Sequence, residues 1–105
     1  MEGESTDLGG MAWTELTAPV LLVPVGSCEQ HGPHLPLHTD TVIATALASE
    51  LVARRGDCVL APAISISASG EHQGFPGTLS IGTDAMANVV IELARSATWA
   101  SGVVF

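Results

Sequence analysis

Val20-Leu21-Leu22-Val23-Pro24-Val25, followed directly by Gly26-Ser27-Cys28-Glu29-Gln30-His31-Gly32-Pro33-His34-Leu35-Pro36-Leu37-His38-Thr39-Asp40, is the stretch on which the fold reading turns. The first six residues are apolar without alternation, which marks a strand covered on both faces, as in a parallel sheet. Pro24 cannot donate to a ladder, so that end of the strand lies at an edge, a bulge or the exit to a loop. The fifteen residues that follow hold two carboxylates, three imidazoles and a thiol, and three of the chain's four histidines lie there. A strand entering such a loop, which then opens a helix, is where α/β proteins place their chemistry.

Outward from this loop the chain alternates helix and strand. Thr39 or Asp40 can N-cap a helix running to about Arg55, with Ile43, Leu47 and Leu51 as its buried face. Arg54 and Arg55 suit the negative end of that helix, and Gly56 can end it. Val59-Leu60, flanked by Cys58 and Ala61, reads as a second strand. Residues 62–82 form a loop longer than the ~12–15 residues usual without a function. A second helix starts at Thr83 or Asp84, with Met86, Val89, Val90, Leu93 and Ala97 facing inward. Val103-Val104-Phe105 opens a third strand, within which the chain is expected to be truncated. The order β-α-β-α-β predicts an α/β fold with a parallel β-sheet core. Residues 1–10 are acidic and polar and are expected to be disordered, so the domain proper covers 11–105.

Composition narrows the function classes. The net charge is −8, with only three basic residues, all arginine, so no basic patch exists for nucleic acid or an anionic membrane. No apolar run reaches the ~18 residues of a membrane span, and the acidic N-terminus is unlike a signal peptide. Cys28 and Cys58 make no C-x-x-C pair, and reduced thiols in a cytoplasmic protein are expected. Charged residues are 13% against 47% apolar, which implies burial against further chain or a partner subunit.

Glu29 and His31 are two apart at a strand end, where extended backbone points both to one side. Asp40 returns where the loop opens the helix, and an acid there offsets the dipole's disfavour for a nearby cation. Glu, His and Asp are ligands expected of zinc, manganese or iron at a hydrolytic site. The plainer reading of Asp40 is an N-cap, and the two roles are compatible. His38 reads as an exposed loop residue, Cys28 as a thiol packed under the loop, and Cys58 as core. His34, Glu71 and His72 are candidates for lining a substrate pocket, the last two from the second loop.

The run 24–40 resembles the signature of the creatininase family of metal-dependent amidohydrolases. The resemblance continues through Ser69-Gly70-Glu71-His72-Gln73-Gly74-Phe75-Pro76-Gly77-Thr78-Leu79-Ser80-Ile81-Gly82-Thr83 and covers about residues 12–105. Ala61-Pro62-Ala63-Ile64, Ala68-Ser69-Gly70-Glu71-His72-Gln73 and Ser80-Ile81-Gly82-Thr83 are most similar to the branch associated with mycofactocin maturation. The resemblance implies a creatininase-like fold and a site for two divalent ions, with zinc first and manganese or iron as alternatives. It implies ligand roles for Glu29 and His31 and, shared between the ions, for Asp40. It implies hydrolysis of an amide C–N bond, in that branch the removal of a C-terminal dipeptide from a precursor peptide. Creatinine or a formamide is the alternative substrate class, and a homo-oligomer the expected assembly. Family members continue past the third strand into an Asn-Gly-His motif carrying another ligand. The competing expectation is therefore a non-catalytic fragment that folds only against a partner.

Overall fold

The computed structural model describes residues 6–105. Three short parallel strands, β1 (Val20–Leu22), β2 (Cys58–Leu60) and β3 (Gly102–Val104), form a sheet in the order β2-β1-β3. Leu21 sits opposite Val59 on one side and Val103 on the other. The connections are α1 (Thr39–Arg54) and α2 (Thr83–Ser96), so the β-α-β-α-β order expected from the sequence is the observed one. Because β1 is central, the chain reverses its direction of progress across the sheet there. The carboxyl end of β1 is then the topological switch point where α/β sheets open a crevice.

β1 is covered on both faces, as its unbroken apolar run predicts. Leu21 and Val23 pack with Val59, Ala61 and Ala97 on one face, joined by Leu8, Met11 and Val103. Leu22 packs with Cys58 and Val52 of α1 on the other. The strand is shorter than the apolar run because Pro24 interrupts the ladder. The Val23 N–H still reaches the Val104 carbonyl at 2.8 Å, and Pro24 itself only accepts, from Ile64 at 2.9 Å.

Three expectations need correcting. Ile43, Leu47 and Leu51 are not the buried face of α1: they are 54%, 70% and 42% exposed, and Val52 is its one buried residue. α1 leans on β2 through its C-terminal half, so Leu47 and Leu51 instead border an open apolar cleft shared with Val104 and Phe105, while Ile43 borders a second cleft at the end of β1. Neither Thr39 nor Asp40 caps the helix: His38 is the N-cap residue and gives no side-chain bond, while Thr39 Oγ1 donates to the Pro36 carbonyl at 2.6 Å. On α2 the inward stripe is only partly covered, with Leu93 39% exposed and Ala97, just past the helix, buried.

Of the segment expected to be disordered, residues 1–5 lie outside the described residues. The remainder is ordered: the Leu60 N–H donates to the Thr6 carbonyl at 2.8 Å and Leu8–Gly10 makes a 3₁₀ turn. Leu8 supplies the reason, since it packs against the core cluster beneath it. Among the described residues no helix is long and apolar enough to cross a membrane.

Candidate metal centre

The site is built by one close approach. A Cβ on Gly26 would collide with Cα and Oγ1 of Thr41, so only glycine lets the first turn of α1 sit against the end of β1. Thr41 Oγ1 donates to the Ser27 carbonyl at 3.2 Å across this contact. Asp40, one residue earlier, is thereby brought over the strand end. Its Oδ2 accepts from Ser27 Oγ at 2.7 Å and its Oδ1 lies 3.1 Å from His31 Nε2. These contacts hold the Asp40 carboxyl below its ordinary value, the Ser27 hydroxyl contributing most and His31 next.

The second loop straps the first from above. The Leu79 N–H donates to the Cys28 carbonyl at 2.9 Å, Gln30 N–H to Thr78 Oγ1 at 3.2 Å, and Ser67 Oγ to the Gly26 carbonyl at 2.7 Å. Gly77 lies at φ +89°, and a Cβ there would run into Leu37, so this turn also requires glycine. Cys28 Sγ rests 3.4 Å from the Gly77 carbonyl, half-buried under the loop, while Cys58 is core and its thiol is pushed up by burial.

Glu29 is buried at 8% exposure. Its Oε2 stands 2.7 Å from His72 Nε2, yet no donor is aligned on that oxygen. The two facts are compatible when the oxygen lies off the axis of the ring nitrogen, leaving a carboxylate lone pair uncommitted. Glu29 and Asp40 line one cleft of about 370 Å³ at the end of β1.

His31 Nδ1 is 3.1 Å from the Glu29 carbonyl. A carbonyl only accepts, so Nδ1 carries a proton. The Asp40 carboxylate also only accepts, so the 3.1 Å contact is made by Nε2–H of the protonated ring, and Nε2 is the nitrogen that gives up its proton when the ring becomes neutral. That carbonyl, followed by Asp40, raises the His31 pKa above 6.5. An imidazole paired with a carboxylate, with a second carboxylate of the same cleft buried without an aligned donor, is a donor set whose chemistry fits a cation once the ring is deprotonated.

Of the six residues singled out from sequence, Glu29, His31 and Asp40 gather at this strand end. His72 joins them from the second loop, on the 3₁₀ turn Gly70–His72, with the largely exposed Glu71 carboxylate 3.8 Å from its Nε2. The donor atoms of Glu29, Glu71 and His72 lie within 4.8 Å of one another. His34 is exposed in the turn after His31 and bonds to none of these groups. Sequence reasoning gave no role to Ser27 or Gln30. Both sit inside the polar run, but only the folded loop shows that Ser27 anchors Asp40 and Gln30 reaches His72 at 2.8 Å.

The creatininase family profile, described as creatinine amidohydrolase, matches residues 10–103. The chain belongs to the creatininase family. It is 56% identical over 93 residues to a mycofactocin precursor peptide peptidase of Mycolicibacterium smegmatis, covering 83% of this chain and 38% of that protein. It is 33% identical over 107 residues to a creatinine amidohydrolase of Pseudomonas putida, covering 88% and 41%. A solved structure described as creatininase Mn superposes with TM-score 0.85 at 27% identity, covering 95% of this chain and 44% of that one. A mutant creatininase of Zn–Zn type superposes with TM-score 0.80 at 28% identity, covering 89% and 40%. The chain thus spans about two fifths of the length of these relatives, and the three-stranded parallel sheet with its helices is the creatininase-like fold.

Proposed function

We propose that Glu29, His31 and Asp40 are the metal ligands that this chain contributes to a hydrolase cleaving an amide C–N bond, with Asp40 shared between two divalent ions. The observation that carries this reading is the pairing of His31 Nε2 with the Asp40 carboxylate at 3.1 Å at the end of β1, with Glu29, whose buried Oε2 has no aligned donor, lining the same cleft as Asp40. A divalent cation supplies Lewis acidity toward a carbonyl oxygen and toward water. The protein's part is to hold the donors. The Glu29 carbonyl fixes the His31 ring, Ser27 fixes one Asp40 oxygen, and Gly26 lets the helix carrying Asp40 approach.

The substrate we propose is a short precursor peptide losing a C-terminal dipeptide in mycofactocin maturation. Support comes from the 56% identity to a peptidase of that description, against 33% to a creatinine amidohydrolase. Zinc or manganese is the proposed metal, after the forms in which related structures are described. We place the protein in the cytoplasm and, when extended to the relatives' length, in a homo-oligomer.

The test joins this chain to the remaining segment of the Mycolicibacterium smegmatis relative, loads it with zinc or manganese, and offers it the precursor peptide and creatinine. Release of a C-terminal dipeptide, lost in a Glu29→Gln and His31→Ala double variant, is expected. Turnover unchanged in that variant would reject the ligand assignment. Creatinine hydrolysis without dipeptide release would reject the substrate.

A second reading, a non-catalytic piece requiring a partner, is favoured by the exposed Leu47 and Leu51 beside Phe105. A compact monomer with strong hydrogen-exchange protection across β1 would count against it.

A further inference from the structure

Two histidines flank Glu29, and their ring nitrogens are used in opposite senses. His31 donates from Nδ1 to a backbone carbonyl and turns Nε2 to the Asp40 carboxylate. For His72 the order is reversed. The Gly32 N–H is 2.8 Å from one end of the Gln30 side-chain amide, and a donor there requires that end to be the oxygen, Oε1. The other end, Nε2, is then a donor and lies 2.8 Å from His72 Nδ1. Nδ1 accepts, so the proton of neutral His72 sits on Nε2, the nitrogen 2.7 Å from Glu29 Oε2.

We propose that His72 is a positioning residue, locked by Gln30 in its Nε2–H form, that steadies the Glu29 carboxylate for a cation and does not itself bind one. The proposal rests on the metal-ligand reading of Glu29 above. By distance alone Glu29, Glu71 and His72 would make a cation cluster. A ring nitrogen that carries a proton has no lone pair to give, so the Gln30 contact removes His72 from that set. The ring N–H faces Glu29 Oε2 off its axis, which attracts the carboxylate electrostatically and leaves the oxygen's lone pair free. The arrangement is fixed by backbone: Gln30 N–H is held to Thr78 and the Leu79 N–H to the Cys28 carbonyl, which together set where the His72 turn lies over the first loop. Groups one step behind a metal ligand orient it in this way, and their loss typically weakens metal binding by about 10–100-fold.

The experiment is ¹⁵N NMR of the histidine rings in the metal-free chain and during titration with zinc, joined to zinc affinities of His72→Ala and Gln30→Glu. We expect His72 in the Nε2–H form throughout, with the His31 Nε2 signal moving on zinc addition while the His72 signal keeps its tautomer. Gln30→Glu replaces the donor by an acceptor and should put a proton on His72 Nδ1. His72→Ala should bind zinc about 10–100-fold more weakly. An Nδ1–H form of His72 in the metal-free chain overturns the proposal, as does a His72 Nε2 signal that shifts as a zinc ligand's would. An affinity unchanged in His72→Ala overturns it too. Should that variant not fold, the wild-type and Gln30→Glu spectra still decide. A wild-type chain that takes up no zinc would sink the metal reading of Glu29, while an Nε2–H spectrum would leave the Gln30–His72 lock standing.

Discussion

His31 Nε2 lies 3.1 Å from Asp40 Oδ1, across nine residues of loop, and each atom is turned to the other by a different anchor. The Glu29 carbonyl holds the far side of the imidazole, and the Ser27 hydroxyl holds the other carboxylate oxygen. A proton on Nε2 makes this contact, and in the proposed function that nitrogen and the Asp40 carboxylate would instead hold a divalent ion.

That exchange has a pH signature. His31 is raised above 6.5, so the pair's contribution to metal-free stability is full below that value and fades as pH rises through the raised one. Asp40 is lowered below 3.8, so the contribution is present above 3.8 and fades as pH falls through the lowered value. Zinc requires the deprotonated ring and must follow the opposite trend, tightening as pH rises through the His31 transition and releasing a proton on binding. Calorimetric titrations with zinc in buffers of different ionisation enthalpy, from about pH 6 to about pH 8, check both statements. Affinity independent of pH across that range would exclude His31 as a ligand.

Glu29→Gln should separate function from stability. Oε2 is buried without an aligned donor but lies 2.7 Å from the His72 ring nitrogen, so the isosteric amide should change the stability of the metal-free chain by less than about 1 kcal/mol. Zinc affinity should fall by more than about 100-fold, beyond the loss seen for residues one step behind a ligand. Thermal unfolding with and without zinc reads both; a destabilised metal-free variant would mean that the carboxylate serves the fold.

Gly26→Ala should be among the most damaging single changes. The added methyl meets Thr41 backbone as well as side chain, so α1 must shift bodily and move Asp40 with it. We expect a loss of about 1–3 kcal/mol and a weaker site, measured by denaturant unfolding and zinc titration. Gly70→Ala, where nothing stands within 4 Å of the new methyl, is the matched control.

Two apolar residues of α1 should respond very differently. Val52→Ala opens a gap against Leu22 and Cys58 and should cost about 1–2 kcal/mol. Leu47→Ala removes a side chain that is 70% exposed and should change stability by less than about 0.5 kcal/mol. Equal losses in urea titrations would show that the 43-47-51 stripe is buried in solution.

At the surface, Asp57 is held at a pKa of about 2, chiefly by the Arg55 guanidinium, which forks onto both carboxylate oxygens at 2.8 and 2.7 Å. Arg55→Gln should return it toward 3.8. The pair's contribution is present above 3.8 and lost as pH falls through about 2. Carboxyl ¹³C shifts against pH follow it directly.

The sequence by itself determined the layering of this protein and the place in the chain from which the proposed site is drawn. A short unbroken apolar run ended by Pro and Gly argues for a strand covered on both faces, and Leu21, Leu22 and Val23 are all buried. Glu29 and His31 at its exit, with Asp40 where the helix opens, were legible because strand and helix periods state where short-range neighbours point. The tertiary structure alone decided how the donors are presented. Which helix face is covered depended on where α1 leans across the sheet, and Val52 was chosen over Leu47 by that tilt. Whether Asp40 caps a helix or faces His31 depended on the approach at Gly26, and the contact made by His72 Nδ1 on Gln30, 42 residues away along the chain. Hydrogen bonds between residues 30 and 72 have no local period, so no pattern along the chain could announce them.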